Sequence, residues 1–104
     1  MDFSSTDFYP KKNNVQYKGT TMNFEYTDEL DNYYLVTFNV EGIPFAAQVD
    51  KESKQVIDIT TLASGVYNAS HPYNIDTSLK QIDWLPVNYF EVEDVIVEFF
   101  TNAN

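Results

Sequence analysis

The sequence contains no cysteine, no arginine and only three glycines among its 104 residues. Without cysteine the chain cannot form disulfides, use a thiolate nucleophile or bind zinc through sulfur. Without arginine it lacks the planar guanidinium group that holds a phosphate or a carboxylate with two hydrogen bonds. Gly19, Gly42 and Gly65 stand apart, so no glycine-rich loop is available to cradle a nucleotide phosphate. These absences argue against several classes of enzyme and of nucleotide-binding protein.

Long hydrophobic runs are also missing. No apolar run approaches the ~20 residues that a membrane-spanning helix needs. The opening residues, MDFSSTDFYPKKNNVQ, lack the basic segment followed by an apolar segment that marks a secretory signal peptide. We therefore expect a cytoplasmic protein that makes no membrane contact.

The charges are strongly unbalanced. Sixteen Asp and Glu residues face six Lys residues, which gives a formal net charge of −10 and an isoelectric point near 4.1. Such a field repels nucleic acid and anionic membranes, and it attracts proteins with basic surfaces. We therefore expect a basic protein partner and no direct binding of nucleic acid. A simpler interpretation remains open, in which the acidity only keeps a small, aromatic-rich protein soluble.

The chain has enough apolar material for one folded core. Hydrophobic residues make up 43% of it, and eight Phe, eight Tyr and one Trp are present. Residues 1–20 include the loop-forming stretch YPKKNNVQYKGT. We predict an arm or irregular segment over 1–20 and a single globular domain over 21–104.

Apolar and polar residues alternate from Met22 onward, in short runs separated by polar segments. This period of two is typical of half-buried strands. The separating segments are TDELDN (27–32), EGIP (41–44) and DKESK (50–54). The pattern predicts an antiparallel meander of about four strands, whose apolar runs lie within residues 22–26, 34–40, 45–49 and 56–59.

Residues 60–85 give weaker signals. The segment 60–74 is predicted to be a long connection with one helical turn near Leu62. The segment DTSLKQIDWL then starts with residues that commonly cap helices, Asp76 and Thr77. Its apolar residues (Leu79, Ile82, and Trp84 or Leu85) fall on one helical face. We therefore predict a short helix here, which Pro86 must end or restart.

The stretch NYFEVEDVIVEFF (88–100) fits a helix better than a strand. Asn88 and Glu91 have the spacing of a helix N-cap and its acidic partner. The many β-branched residues favour a strand, and Phe90 and Val97 would lie on the acidic side of the helix. The helical spacing nevertheless accounts for more residues. It buries Val92, Val95, Ile96, Phe99 and Phe100.

The predicted fold class is therefore α+β, an antiparallel meander of about four strands with one or two C-terminal helices on one face. Two sets of residues, one from the last helix and one from the sheet, would form the core. They are Val92, Val95, Ile96 and Phe99 on the helix, and Phe24, Val36, Phe38 and Val49 on the strands.

Catalytic and metal-binding patterns are weak. The single histidine, His71, lies beside Ser70 in the loop NASHPYN, and no nucleophile-elbow pattern surrounds any serine. A surface or loop-bracing histidine is the better interpretation. The acidic turn DELDN lacks the alternate oxygen ligands and central glycine of a calcium-binding loop. We expect no enzyme activity, no cofactor and no metal site.

The carboxylates themselves are the candidate partner-binding residues. On the predicted helix Glu91, Asp94 and Glu98 fall together as a ridge, with Glu93 at its edge. Duplex DNA presents one negative charge per ~1.7 Å of its axis, and rows of carboxylates can imitate that charge. The other candidates lie in the predicted turns: Asp28, Glu29, Asp31, Asp50 and Glu52.

In its size, its acidity, its lack of cysteine and its Asn/Tyr/Phe/Asp-rich composition, the chain resembles small bacteriophage-encoded inhibitors that act as DNA mimics. Targets of that class include restriction enzymes, HU-type nucleoid proteins, RNA polymerase and CRISPR effectors. The resemblance implies a non-enzymatic inhibitor in the host cytoplasm. It would occupy the basic DNA-binding surface of a host protein.

Two other interpretations stay open. A small structural or assembly protein, of a virion or a scaffold, would depend on exposed aromatic residues more than on charge. The stretch YYLVTFNVEGIPFAAQVDKESKQVIDI is similar in shape to the strand–turn–strand unit of PepSY-type domains, although it lacks the glycine common in that turn. Because the edge strands of a small sheet often pair across a two-fold axis, we also expect a homodimer.

Overall fold

The structure, a computed structural model, describes residues 14–102, and the side chains of all of these except 25–27 and 99–102. Five strands form one antiparallel sheet in the order β1-β2-β3-β4-β5, and two short strands form a separate hairpin. One α-helix follows them. The elements are β1 (Asn14–Tyr17), β2 (Thr20–Glu29), β3 (Tyr33–Val40), β4 (Ile43–Asp50), β5 (Val56–Thr61), β6 (Gly65–Tyr67), β7 (His71–Tyr73) and α1 (Tyr89–Asn102).

The predicted α+β class, with an antiparallel sheet and a C-terminal helix, is confirmed. Within the described residues the sheet has five strands in its meander, where the sequence predicted about four. Two of the turns are two residues long, Lys18-Gly19 and Glu41-Gly42, and all four residues have positive φ. This left-handed pair of residues gives a turn whose twist matches that of the flanking strands. The short turns therefore fix the register of both hairpins.

The inner face of the sheet carries the core. Along β3 every second residue is buried, and the others are half-exposed. Phe38 lies at the centre of this face, with its ring centroid 5.3 Å from that of Phe24 and 5.7 Å from that of Phe45. Helix α1 contributes Val92, Val95 and Ile96 to the same cluster. The predicted core is thus confirmed, apart from Phe99, whose side chain lies outside the description.

A bulge changes the register of β2 partway along the strand. Phe24 pairs with Phe38, but Tyr26 pairs with Thr37, so one extra residue lies between them. A one-residue shift reverses the alternation between the two faces. The alternation predicted over 22–26 holds for the buried Met22 and Phe24 and the exposed Asn23, and the side chains of residues 25–27 lie outside the description. Strand β2 also continues to Glu29, inside the predicted turn 27–32.

The predicted irregular segment 1–20 contains a regular strand. Strand β1 pairs with Thr20–Asn23, and its residues Val15 and Tyr17 pack against the core. The tight Lys18-Gly19 turn and this apolar contact supply the order that the polar local sequence does not predict. The rest of the predicted segment, residues 1–13, lies outside the described residues.

The predicted connection 60–74 folds into a hairpin. Strands β6 and β7 are joined by a turn in which Asn68 and Ala69 have positive φ. The predicted helical turn near Leu62 is absent. Instead the Leu62 N–H donates to the Pro44 carbonyl (2.9 Å), which extends the pairing between β5 and β4.

The helix predicted at 76–85 is only a three-residue 3-10 turn, Leu79–Gln81. Asp76 has a left-handed backbone (φ 68), and the Thr61 N–H donates to the Thr77 carbonyl (2.9 Å). The start of this segment is therefore hydrogen-bonded to the edge of β5 and is not helical. Leu79 and Ile82 are buried, as the pattern predicted.

Helix α1 confirms the helix predicted at 88–100. Tyr89, Val92, Val95 and Ile96 are buried, whereas Phe90 is 67% exposed. No helix in the described part of the chain is long and apolar enough to cross a membrane.

Candidate interaction surface

Five of the candidate carboxylates lie at one end of the five-stranded sheet. In a meander alternate turns lie at the same end, which places the β2–β3 turn beside the β4–β5 turn. The backbone N–H of Lys51 in one turn donates to the carbonyl of Asn32 in the other (3.2 Å). We call this region the acidic end. Its members are Asp28, Glu29, Asp31, Asp50 and Glu52.

Asp50 builds the β4–β5 turn. One oxygen of its carboxylate accepts hydrogen bonds from the Ser53 N–H (2.8 Å), the Ser53 hydroxyl (3.0 Å) and the Glu52 N–H (3.1 Å). These donors, the Ser53 N–H foremost, hold the pKa of Asp50 below its usual value. The Asp50 charge is therefore fixed in place and is partly satisfied within the turn.

Lysines offset part of the charge at the acidic end. The Lys51 ammonium lies 2.7 Å from a Glu29 carboxylate oxygen, and that hydrogen bond raises the pKa of Lys51. The ammonium groups of Lys51 and Lys54 also lie 5.6 and 5.5 Å from the centre of the Tyr34 ring. Since five carboxylates face two lysines among the residues that the structure describes, the acidic end keeps a negative excess there. Asp31 and Glu52 are its most open members, because both are exposed and neither forms an ion pair within the described residues.

The second group of candidates lies on α1, where Glu91 caps the helix. The Glu91 N–H donates to the Asn88 side-chain oxygen (2.9 Å), and the Asn88 N–H donates to the Glu91 carboxylate (3.0 Å). This reciprocal pair is the capping box that the sequence predicted. The other carboxylate oxygen of Glu91 binds the Lys18 ammonium. The hydrogen bond from Lys18, followed by that from Asn88, lowers the pKa of Glu91.

The predicted ridge of Glu91, Asp94 and Glu98 is therefore incomplete. Asp94 and Glu98 are exposed, but Glu91 is half-buried and both of its oxygens are engaged within the chain. Glu93, at the predicted edge, is also half-buried. Among the helix residues whose side chains are described, the exposed ones are Phe90, Asp94 and Glu98. Phe90 was not among the predicted site residues, although its conflict with the helical pattern was the signal that could have identified it.

An aromatic cluster lies away from the acidic end. The Trp84 ring stacks on both Tyr67 and His71, with centroid distances of 4.9 Å to each, and the Tyr67 hydroxyl donates to Glu41 (3.4 Å). The Ser70 hydroxyl donates to the Asn68 carbonyl and makes no bond to His71. His71 thus braces the hairpin against the segment before α1, in agreement with the predicted loop-bracing role. Sequence reasoning missed the cluster because its members meet only once the hairpin has formed.

Among the residues that the structure describes, no three histidine or acidic side chains are grouped in a way that could hold a metal ion. Comparison of the chain with protein-family models, with curated proteins and with solved structures finds no match. The stretch that resembles the PepSY strands, residues 33–59, forms β3, β4 and most of β5. The geometry and charge of the chain itself are therefore what point to its function.

Proposed function

We propose that this protein is a non-enzymatic acidic binding protein that occupies the basic DNA-binding surface of a host protein, in the manner of the phage-encoded DNA mimics. The observation that carries the proposal is the acidic end, where two turns bring five carboxylates together in a protein of net charge −10. Candidate targets are a nucleoid protein, RNA polymerase, or a restriction or CRISPR effector.

The acidic end is suited to this role because strand pairing positions its carboxylates. Neighbouring strands lie about 5 Å apart, so the two turns form one continuous surface. Hydrogen bonds from Ser53 to Asp50 and the backbone bond between Lys51 and Asn32 hold the turns in shape. Charges fixed before binding lose little conformational freedom when a partner arrives. A basic surface that normally binds phosphates would exchange them for these carboxylates.

A competition assay tests the proposal. The full chain is added to a complex of fluorescent duplex DNA with a purified HU-type nucleoid protein, at low and at high salt. We expect the chain to displace the DNA at low salt and to lose this ability as salt rises, since charge-driven association is screened. A failure to displace DNA at any salt would argue against this target. The same assay is then repeated with RNA polymerase and with restriction and CRISPR effectors, and failure with all of them would reject the proposal.

Matched variants locate the surface. The double variant Asp31→Lys with Glu52→Lys changes the acidic end and raises the net charge from −10 to −6. The control variant, Ser64→Lys with Gln81→Lys and Asp83→Lys, reaches the same net charge at exposed positions elsewhere. We expect the first variant to lose most of its DNA displacement and the control to keep it. Equal losses would mean that net charge alone acts and that the acidic end is no specific surface.

Exposed apolar side chains favour a second candidate, a small structural or assembly protein. Val66, Ile75 and Ile57 are 60%, 58% and 50% exposed. An assembly contact made through such residues would persist at high salt, because burial of apolar surface is not screened. Binding to a different partner protein that is insensitive to salt would favour this candidate over the DNA mimic.

A further inference from the structure

Phe90 exposes an aromatic ring at the start of helix α1. Its side chain is 67% exposed, more than any other large hydrophobic side chain that the structure describes. Its neighbour Tyr89 is buried in the core, and the two rings meet edge to face at 5.7 Å. Phe90 therefore contributes little to the core, and most of its ring is accessible to a partner.

The residues that follow Phe90 on its side of the helix are acidic. On a helix, residues three and four positions apart are neighbours, so Glu93 and Asp94 follow Phe90 on the same side, and Glu98 lies one further turn along. Helix α1 contains no lysine or arginine. We call Phe90, Asp94 and Glu98 the helix patch, since these three are its exposed members.

The lysines of the described part are already placed over other rings. Lys18 lies over Tyr17 (5.6 Å), Lys51 and Lys54 over Tyr34, and Lys80 over Tyr89 (4.8 Å). Within the described residues none of them lies over Phe90. An electron-rich ring face beside carboxylates, with no cation on it, is complementary to a cation from another molecule.

Building on the proposed function, we infer that the helix patch binds an arginine-bearing segment of the basic partner. A guanidinium group is planar and weakly hydrated, so it can lie flat on the Phe90 ring while its N–H groups pair with Asp94. An ammonium group is a strongly hydrated point charge and gains less from the ring. The patch therefore selects arginine over lysine, and it would direct the protein toward arginine-rich DNA-binding surfaces.

The test compares two peptide probes, deca-arginine and deca-lysine, titrated into the full chain at the same low salt concentration. We expect Phe90→Ala to weaken binding of deca-arginine about two- to fivefold, the range expected for a cation–π contact at an exposed site. Binding of deca-lysine should stay nearly unchanged. Val66→Ala is the matched control, because it removes another exposed apolar side chain (60% exposed) and should change neither affinity. Thermal melts of both variants check that the fold is retained.

Each other outcome overturns the inference. If Phe90→Ala leaves deca-arginine binding unchanged, or weakens both peptides equally, the patch does not select arginine, while the proposed function stands on the acidic end. If neither peptide binds the wild-type chain at low salt, the inference and the proposed function both fail. If Phe90→Ala instead abolishes a concentration-dependent dimer, a second copy of the chain occupies the patch.

Discussion

The carboxylate of Glu91 joins two distant parts of the chain. One oxygen completes the capping box with Asn88, and the other binds Lys18 in the turn between β1 and β2. The sequence assigned Glu91 two roles, a helix cap and a member of an exposed ridge. The cap is confirmed, and because it uses the same carboxylate it takes Glu91 out of the exposed surface. Spacing alone could not choose between the two roles, since the position of Lys18 depends on the fold.

The Asn88 cap should contribute to the stability of the fold. Replacing Asn88 by alanine removes the acceptor for the Glu91 N–H, and loss of such a cap typically costs about 1 kcal/mol. We expect Asn88→Ala to lower the free energy of unfolding by about that amount, measured by urea denaturation. Asn88→Ser, which keeps a capping oxygen, should lose much less. Equal stabilities of the wild type and Asn88→Ala would show that the cap contributes nothing.

Because the pKa of Glu91 is lowered in the folded protein, the stability that Glu91 contributes should depend on pH. A carboxyl whose pKa is lower in the folded state stabilises the fold above its unfolded value of about 4.5, and this contribution disappears as the pH falls through the folded value. We expect Glu91→Gln to be less stable than the wild type near neutral pH. The difference should shrink below about pH 4.5, as urea denaturation at a series of pH values would show. A gap that stays constant down to about pH 2 would contradict the ionic contribution.

At the scale of elements, the sequence predicted the strands and the helix whose apolar residues recur at a regular spacing. In β3 every second residue is buried, and in β4 Phe45, Ala47 and Val49 are buried as the alternation predicts, together with Ala46 between them. Helix α1 was predicted because Val92, Val95 and Ile96 recur at helical spacing, against the strand preference of valine and isoleucine. Where one face of an element must be buried, the pattern decides both the element and its orientation.

Other elements depend on partners that the local sequence does not show. Strand β1 is only four residues long, half of them polar, and becomes a strand because β2 pairs with it across the Lys18-Gly19 turn. The predicted helix at 76–85 gives way to backbone bonds with the edge of β5, such as that between Thr61 and Thr77. The candidate carboxylates could be named from sequence, but their gathering at one end follows from strand order. Tertiary pairing thus overrode local preference in each case.

The buried and exposed faces of helix α1 should respond differently to substitution. Val95 is 6% exposed, and Val95→Asp would place an unpaired carboxylate in the core. We expect a loss of several kcal/mol in the free energy of unfolding, enough to unfold the domain. The neighbouring change Asp94→Lys, at an exposed position, should leave the thermal melt nearly unchanged. If the Val95→Asp protein folds normally, the side of the helix that carries Val95 does not face the core.

At the scale of the molecule, the edges of the sheet differ. Beyond β5, Thr77 and Ser78 cover part of the edge through the bond to Thr61 and a bridge to Thr60. Strand β1 is the opposite edge, and within the described residues it pairs only with β2. An edge of this kind presents backbone donors and acceptors that a second chain can pair with.

The homodimer expected from the sequence would therefore use the β1 edge. We expect gel filtration with light scattering, at micromolar concentration, to give twice the 12.0 kDa mass of one chain. Adding salt should leave this dimer intact, because backbone pairing between strands is not a charge contact. A single 12.0 kDa species over the whole concentration range would rule the dimer out.

Each strand of the large sheet is hydrogen-bonded to the strand beside it in the chain. Such pairings have short sequence separations, so they can form quickly and in order while the polypeptide is being synthesised. Helix α1, which covers the inner face, follows all five strands in the sequence. Its residue Glu91 comes 73 residues after Lys18, so this ion pair can form only late in synthesis. Until α1 has been made, the growing chain carries an uncovered apolar sheet, and this is the stage of synthesis at which it is most exposed to aggregation.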